Sequence, residues 1–263
     1  VQIANKVIVV TGGGSGIGSA MARRFSAEGA RAVVIADLDF ASAQAAAHLC
    51  GGMAVRTDVG DAASLQDLIE TVEAKIGPID LFCSNAGITV LGGAEAPDTS
   101  WERVWRINVM AHVVAARLLV PRMLSRGGGY LLNTASAAGL LSSFDAPYAV
   151  SKHGAVAFAE WLSITYGGNG LGVSCLCPAG VDTPMLRSEP PERRALLSDG
   201  LMSADAVAEV VARDLAIDRF LILPNPKVLE WLQRKTSDPE RWIKGMRKHH
   251  ASAIRPYSAD RVE

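Results

Sequence analysis

The sequence predicts an α/β fold in which a parallel sheet is covered by helices on both faces, and three observations carry that prediction. Short runs rich in Val, Ile and Leu alternate with longer segments of helical periodicity. The runs are apolar at successive positions, as strands buried on both faces must be, and glycine follows the periodic segments. The 263 residues, 49% hydrophobic and 20% charged, supply enough apolar material for one packed core.

Val-Ile-Val-Val at 7–10 is the first expected strand, and the helix at 17–28 behind it is stopped by Gly29. Ala-Val-Val-Ile-Ala at 32–36 follows, then a helix at 40–49 ended by Gly51 and Gly52. Met-Ala-Val-Arg at 53–56 leads into a helix at 62–76 and Gly77. Ile-Asp-Leu-Phe at 79–82 precedes the longest helix, 100–125, which Gly127 to Gly129 close. Tyr-Leu-Leu-Asn at 130–133 comes next, and Pro147 opens a helix at 147–166 ended by Gly167 and Gly168. Gly-Val-Ser-Cys at 172–175, a helix at 204–216 and Phe-Leu-Ile-Leu at 220–223 complete seven strands. No repeat, low-complexity tract or linker interrupts the chain before its last forty residues, so one domain is expected over 1–263, with 225–263 a C-terminal helical tail.

A formal net charge of −1 gives no global attraction for nucleic acid or an anionic lipid surface. Cys50, Cys83, Cys175 and Cys177 form no C-x-x-C pair and no disulfide framework, and no metal site is expected. The amino terminus lacks the pattern of a secretory signal, and the apolar run at 111–120 contains His112 and Arg117 and falls short of a membrane span. A soluble, cytoplasmic protein without stable membrane insertion is the expectation.

The first strand runs into Thr11-Gly12-Gly13-Gly14-Ser15-Gly16-Ile17-Gly18 and then a helix. Glycines let the backbone turn sharply and present its N–H groups, with the positive end of the helix dipole, to a pyrophosphate. A Walker A loop would need Lys at Ser19, which disfavours triphosphate hydrolysis, and the spacing over Gly12, Gly16 and Gly18 is G-x-x-x-G-x-G rather than G-x-G-x-x-G. Taken alone, such a turn is also an ordinary tight strand–helix connection. Asp37 closes the second strand nineteen positions after Gly18, about where a carboxylate accepts the hydroxyls of an adenosine ribose and repels a 2′-phosphate. Ser15 and Leu38 offer no cation for that phosphate, so NAD is preferred to NADP. Asp39 is a competitor two residues on.

Tyr148 and Lys152, at i and i+4, share one face of the helix at 147–166. A tyrosine with its ordinary pKa of about 10 is a poor base at neutral pH, but an adjacent ammonium and an oxidised nicotinamide favour the phenolate. Tyr148 would then take or return a hydroxyl proton, with Lys152 lowering its pKa. An isolated Tyr-x-x-x-Lys usually means a packed Tyr beside a solvated Lys. Here Ser136 lies twelve residues upstream, just past the carboxyl end of a strand, where open α/β sheets collect ligands and where its hydroxyl can donate to a substrate oxygen.

Residues 11–18, Ser84-Asn85-Ala86-Gly87, Asn108, Ser136 and the Tyr148/Lys152 pair, in this order and at about these separations, resemble the single-domain short-chain dehydrogenase/reductases over residues 1 to about 223. The resemblance implies a doubly wound Rossmann-type fold with a seven-stranded parallel sheet, a nicotinamide cofactor, and hydride exchange between an alcohol and a ketone. It implies cofactor contacts from Gly12, Ser15, Gly16, Ile17, Gly18, Asp37 and Leu38, from Asp58 and Val59 at the adenine, and from Asn85, Ala86 and Gly87. It further implies that Asn108 holds a water linking Lys152 to solvent, that Lys152 binds the nicotinamide ribose, and that Pro178, Val181 and Thr183 meet the nicotinamide end. Homodimers or homotetramers, built on the helices holding Asn108 and Tyr148, are implied as well.

Three departures stand out. Ala179 replaces the family's glycine after Pro178, the interval from Ser136 to Tyr148 is one residue shorter than usual, and Pro224-Asn-Pro226 with a long tail replaces the glycine-rich ending. Expected substrate contacts are Ser136, Leu140, Leu141, Phe144, Tyr148, Ala179, Met185 and Leu186, with Thr89 and Val90. They are mainly apolar, which points to an uncharged, fairly hydrophobic secondary alcohol or ketone. Residues 183–200 read as a flap or as a surface helix pair, and 227–250 as a basic amphipathic segment that fits covering the site, joining subunits or touching an anionic membrane surface, its plainest role being to pack on its own domain. Two other functions fit the same motifs: a nucleotide-sugar epimerase or dehydratase, which would need a larger substrate domain, and a non-enzymatic NAD sensor or scaffold, which would be free to lose Ser136, Tyr148 or Lys152.

Overall fold

The structure is a computed structural model that describes residues 1–142, 145–191, 194 and 200–253. Strands β1 (Val7–Thr11), β2 (Ala32–Asp37), β3 (Met53–Arg56), β4 (Leu81–Ser84), β5 (Gly129–Thr134) and β6 (Leu171–Leu176) form one sheet with the short β9 (Leu221–Ile222). Its order is β3-β2-β1-β4-β5-β6-β9 and every pairing is parallel. All seven expected strands are present. The order reverses between β1 and β4, and a crevice opens there beyond the strand ends.

Alternate residues of each strand feed two cores, as a period of two requires. Val7, Val9, Val34, Phe82, Leu131 and Val173 pack on one side against α3 (Ala62–Lys75), α5 (Ala111–Ser125) and α7 (Ala146–Tyr166), the last preceded by the one-turn α6 (Ala138–Leu141). Ile8, Val10, Ile35, Leu81, Cys83 and Leu132 pack on the other against α1 (Gly16–Ala27), α2 (Phe40–Cys50) and the helix Ala204–Ala216, here α9. Asp39 and Asp61 cap α2 and α3 by accepting from backbone amides of their first turns.

Several boundaries differ from expectation. β4 begins at Leu81 rather than at 79, and at Asp80 the side-chain carboxylate accepts from the Val7 amide at 2.8 Å. The helix expected at 100–125 starts earlier, as α4 (Asp98–Trp105), and passes through a π-helical turn at Arg106–Met110 before α5. The whole path from Asp98 to Ser125 has the length and composition of a membrane span, with half of its most apolar window buried inside the protein. An unexpected pair of two-residue strands, β7 (Val181–Asp182) and β8 (Met202–Ser203), lies beside the sheet. Between them comes the one-turn helix α8 (Pro184–Arg187). The tail forms α10 (Lys227–Ser237) and α11 (Pro239–Ala253), and its buried Val228 packs with Ala137, Leu141, Trp231 and Trp242.

Candidate active site

A cleft of about 830 Å³ runs across the carboxyl ends of the central strands. One end is built on the glycine turn. Gly12 and Gly16 take φ of +61° and +50°, a region that costs an L side chain free energy, and a Cβ at Gly12 would stand 2.8 Å from the Ala86 backbone. Ser15 is the N-cap of α1 and makes no side-chain cap bond, so its hydroxyl leaves the first backbone N–H groups of a helix start that lines the cleft uncapped. Gly12, Ser15, Gly16, Ile17, Asp37, Leu38, Asp58 and Val59 all line the cleft.

Gly18 does not line the cleft. A Cβ there would lie 2.2 Å from the Gly12 carbonyl oxygen, so the residue is glycine because the turn folds back onto it. Asn85 ties the strand ends together: its Nδ2 donates to the Thr11 carbonyl at 3.0 Å and its Oδ1 accepts from Thr134 Oγ1 at 3.2 Å. Ala86 and Gly87 continue the wall, and a Cβ at Gly87 would stand 3.2 Å from both Asn108 Oδ1 and Lys152 Nζ.

The other end holds Ser136, Tyr148 and Lys152 together. Lys152 Nζ donates to the Thr134 carbonyl at 3.0 Å and lies 5.8 Å from the centre of the Tyr148 ring. Burial pulls the ammonium down to about 8, with Cys177 and Cys175 acting against it. Burial pushes the Tyr148 phenol up, opposed by a hydrogen bond with Ser136 and reinforced by the Glu189, Cys177 and Asp145 charges. In the protein alone, desolvation outweighs any lowering of the phenol by the Lys152 ammonium. Ser136 Oγ accepts from the Ala138 amide at 3.1 Å, which fixes the hydroxyl.

Asn108 lies in the π turn, fully buried and outside the cleft lining. Its Oδ1 accepts from the Ile88 amide at 2.9 Å, and its Nδ2 donates to the Ile88 carbonyl at 3.0 Å and to Ser151 Oγ at 3.1 Å. The side chain is committed to protein partners and anchors the loop after β4. Pro178, Ala179, Val181 and Thr183 line the cleft, and Thr183 Cγ2 would lie 3.1 Å from a Cβ at Gly16, which closes this loop over the glycine turn. Ala179 keeps an ordinary negative φ, so the missing glycine costs no backbone strain. The shortened loop does carry strain: Ser142 adopts φ +70°.

Of the expected substrate contacts, Met185, Leu141, Leu186 and Thr89 line the cleft, whereas Leu140 packs between the main core and the tail and Val90 is not in the wall. Phe144 lies outside the described residues. Trp231, Arg234, Trp242 and Met246 line the cleft from the tail, so among the roles open to that segment covering the site is one it takes. Their only sequence signal was the amphipathic spacing, which shows a face but not what it covers. Lys235 Nζ donates to the Leu140 carbonyl at 2.5 Å and fastens α10 to the segment that follows Ser136. Among the described residues, no cluster of three or more His, Cys, Asp or Glu could hold a metal ion.

The short chain dehydrogenase model matches residues 6–194. A 1-deoxy-11-beta-hydroxypentalenate dehydrogenase of Streptomyces exfoliatus is 38% identical over 234 residues, covering 85% of this chain and 84% of that protein. A meso-2,3-butanediol dehydrogenase of Serratia marcescens is 37% identical over 195 residues, 72% of this chain and 77% of the relative. The crystal structure of a short chain dehydrogenase/reductase from Burkholderia phymatum in complex with NAD superposes with a TM-score of 0.83 at 29% identity, covering 98% and 99% of the two chains. With a model match over most of its length and relatives well above 30% identity, the chain belongs to the short chain dehydrogenase family.

Proposed function

We propose that Tyr148 is the acid/base group of an NAD-dependent oxidoreductase that interconverts a secondary alcohol and a ketone. The observation that carries this is the meeting of Ser136, Tyr148 and Lys152 at one end of a cleft whose other end is a glycine turn closed by Asp37. The residues present fit the cofactor: glycines at 12 and 16 let the turn pack tightly against Ala86 and Thr183, the first residues of α1 line the cleft, and Asp37 stands at the end of β2. NAD, when bound, supplies the hydride acceptor, and NADH the donor.

Each side chain then has one task. Ser136 Oγ, fixed by the Ala138 amide, donates to the substrate oxygen and orients it. Tyr148 Oη takes the hydroxyl proton during oxidation and returns it during reduction. Lys152, held by the Thr134 carbonyl, places its charge beneath the phenol and would bind the cofactor ribose. Asn108 positions the loop at Gly87 and Ile88 through its bonds to Ile88, and Lys152 Nζ meets the same face of Gly87 as the Asn108 side chain.

The part of the cleft beyond Tyr148 is walled by Leu141, Met185, Leu186, Trp231 and Trp242, which suits a substrate with a bulky apolar body. The Streptomyces relative, named for a hydroxypentalenate, supports this size class. NADH formation followed at 340 nm against a panel of secondary alcohols, with NAD and with NADP, tests the reading. The parent should reduce NAD, and Tyr148→Phe should lower kcat by roughly 10² to 10⁴. Activity that survives the substitution removes the phenol from the mechanism.

A further inference from the structure

The loops alone argue for an uncharged substrate, but the tail adds a cation to the wall. Arg234 reaches the cleft from α10 beside Trp231, with Trp242 and Met246 contributed by α11. Its place there is fixed by its neighbours: Val228 is fully buried against Ala137 and Leu141, and Lys235 Nζ is bonded to the Leu140 carbonyl. The segment carrying Arg234 is therefore docked on the loop that follows Ser136.

The guanidinium is weakly engaged within the protein. Arg234 Nη2 stands 3.9 Å from Glu230 Oε2, at the outer edge of ion-pair range, and both side chains are mostly exposed, at 70% and 63%. An exposed pair at that distance contributes little and leaves most of the donor fork available. By contrast, Arg187 is held by both Asp182 oxygens, at 2.8 and 2.9 Å. Among the described residues in the cleft lining, Lys152 and Arg234 are the cations, and Lys152 is buried beneath the phenol.

The negative groups give the cleft a direction. The Glu189 and Asp145 charges reach Tyr148, so an anion beside the reacting carbon would be repelled. The same anion is favoured beside Arg234, which the tail contributes to the wall. We infer that the substrate is amphipathic: an apolar body carrying the reacting carbinol against Ser136 and Tyr148, and a carboxylate received by Arg234 at the wall that the tail contributes. This rests on the oxidoreductase reading for which end of the substrate reacts, while the anion subsite itself is a binding property.

Isothermal titration calorimetry on the full chain with NADH tests it, using 1-adamantanecarboxylate and the neutral 1-adamantanecarboxamide as probes. The carboxylate should bind roughly 5- to 10-fold more tightly than the amide, a charge-assisted contact discounted for exposure. The preference should disappear in Arg234→Ala, persist in part in Arg234→Lys, weaken with added salt, and stay unchanged in Arg241→Ala on the same tail. Equal affinity for the two probes, no binding of either, or a preference that survives Arg234→Ala overturns the inference. Failure of every secondary alcohol to reduce NAD would sink the oxidoreductase reading instead, and would leave the calorimetric preference standing.

Discussion

The Gly14 amide donates to Asp37 Oδ2 at 2.9 Å, so the carboxylate at the end of β2 is fastened to the glycine turn. Its other oxygen accepts from the Asp39 amide at 3.1 Å. A Cβ at position 14 would stand 2.9 Å from the same Oδ2, which explains a glycine with no left-handed φ at that place. Two backbone donors hold the carboxylate in the cleft wall, and the next residue, Leu38, supplies no counter-cation. Ribose hydroxyls can donate to such a group, and a 2′-phosphate is repelled by it.

Asp37→Ala should therefore lower kcat/KM with NAD and raise it with NADP, narrowing their ratio by roughly tenfold or more. Steady-state rates with both cofactors check this, with circular dichroism as the control for the lost Gly14 contact. An unchanged ratio would remove Asp37 from cofactor choice.

Tyr148 and Lys152 set the pH dependence. Oxidation consumes the phenolate, and burial pushes the phenol up, so the oxidation rate should rise toward alkaline pH while carbonyl reduction falls. Lys152, brought down to about 8 by burial, is charged on the neutral side of that range and favours the phenolate there. Lys152→Met should accordingly move the rising limb of the kcat/KM profile for oxidation to higher pH. A limb that stays in place would show that the ammonium does not act on the phenol.

The strands were legible because a parallel sheet covered on both faces leaves runs such as Val-Ile-Val-Val with almost no polar interruption. Ser136, Tyr148 and Lys152 were legible because strand ends and helical spacing fix where such side chains point. Gly18 was read as a cofactor contact because sequence cannot tell a glycine that faces a ligand from one that faces Gly12. The side-chain contact before β4 was not legible because the bond from the Val7 amide to Asp80 joins residues far apart in sequence. The role of Trp231 and Arg234 stayed one of several for the same reason: helical periodicity defined their face, and only the burial of Val228 against Leu141, with both residues in the cleft wall, shows what that face covers.

His112 supplies a test of stability rather than of catalysis. The ring is buried on α5, and neither of its nitrogens, nor the Asn133 amide nitrogen, has a hydrogen-bond partner of good geometry among the described residues. Burial, assisted by the Lys152 charge and opposed by Asn133, brings its pKa down from 6.5 to about 4. Between these two values the unfolded chain binds a proton that the folded chain refuses. Stability from this group is thus complete above about 6.5 and is lost as the pH falls toward 4, a change of roughly 3 kcal/mol in all. His112→Leu removes the titrating group and leaves few hydrogen bonds unmade, so it should cost little at pH 7. The fall in Tm between pH 7 and 4.5 should then shrink by roughly 5 °C or more relative to the parent. An identical fall in the two proteins would mean that the ring is protonated in the folded state, and that α5 opens to water at this point.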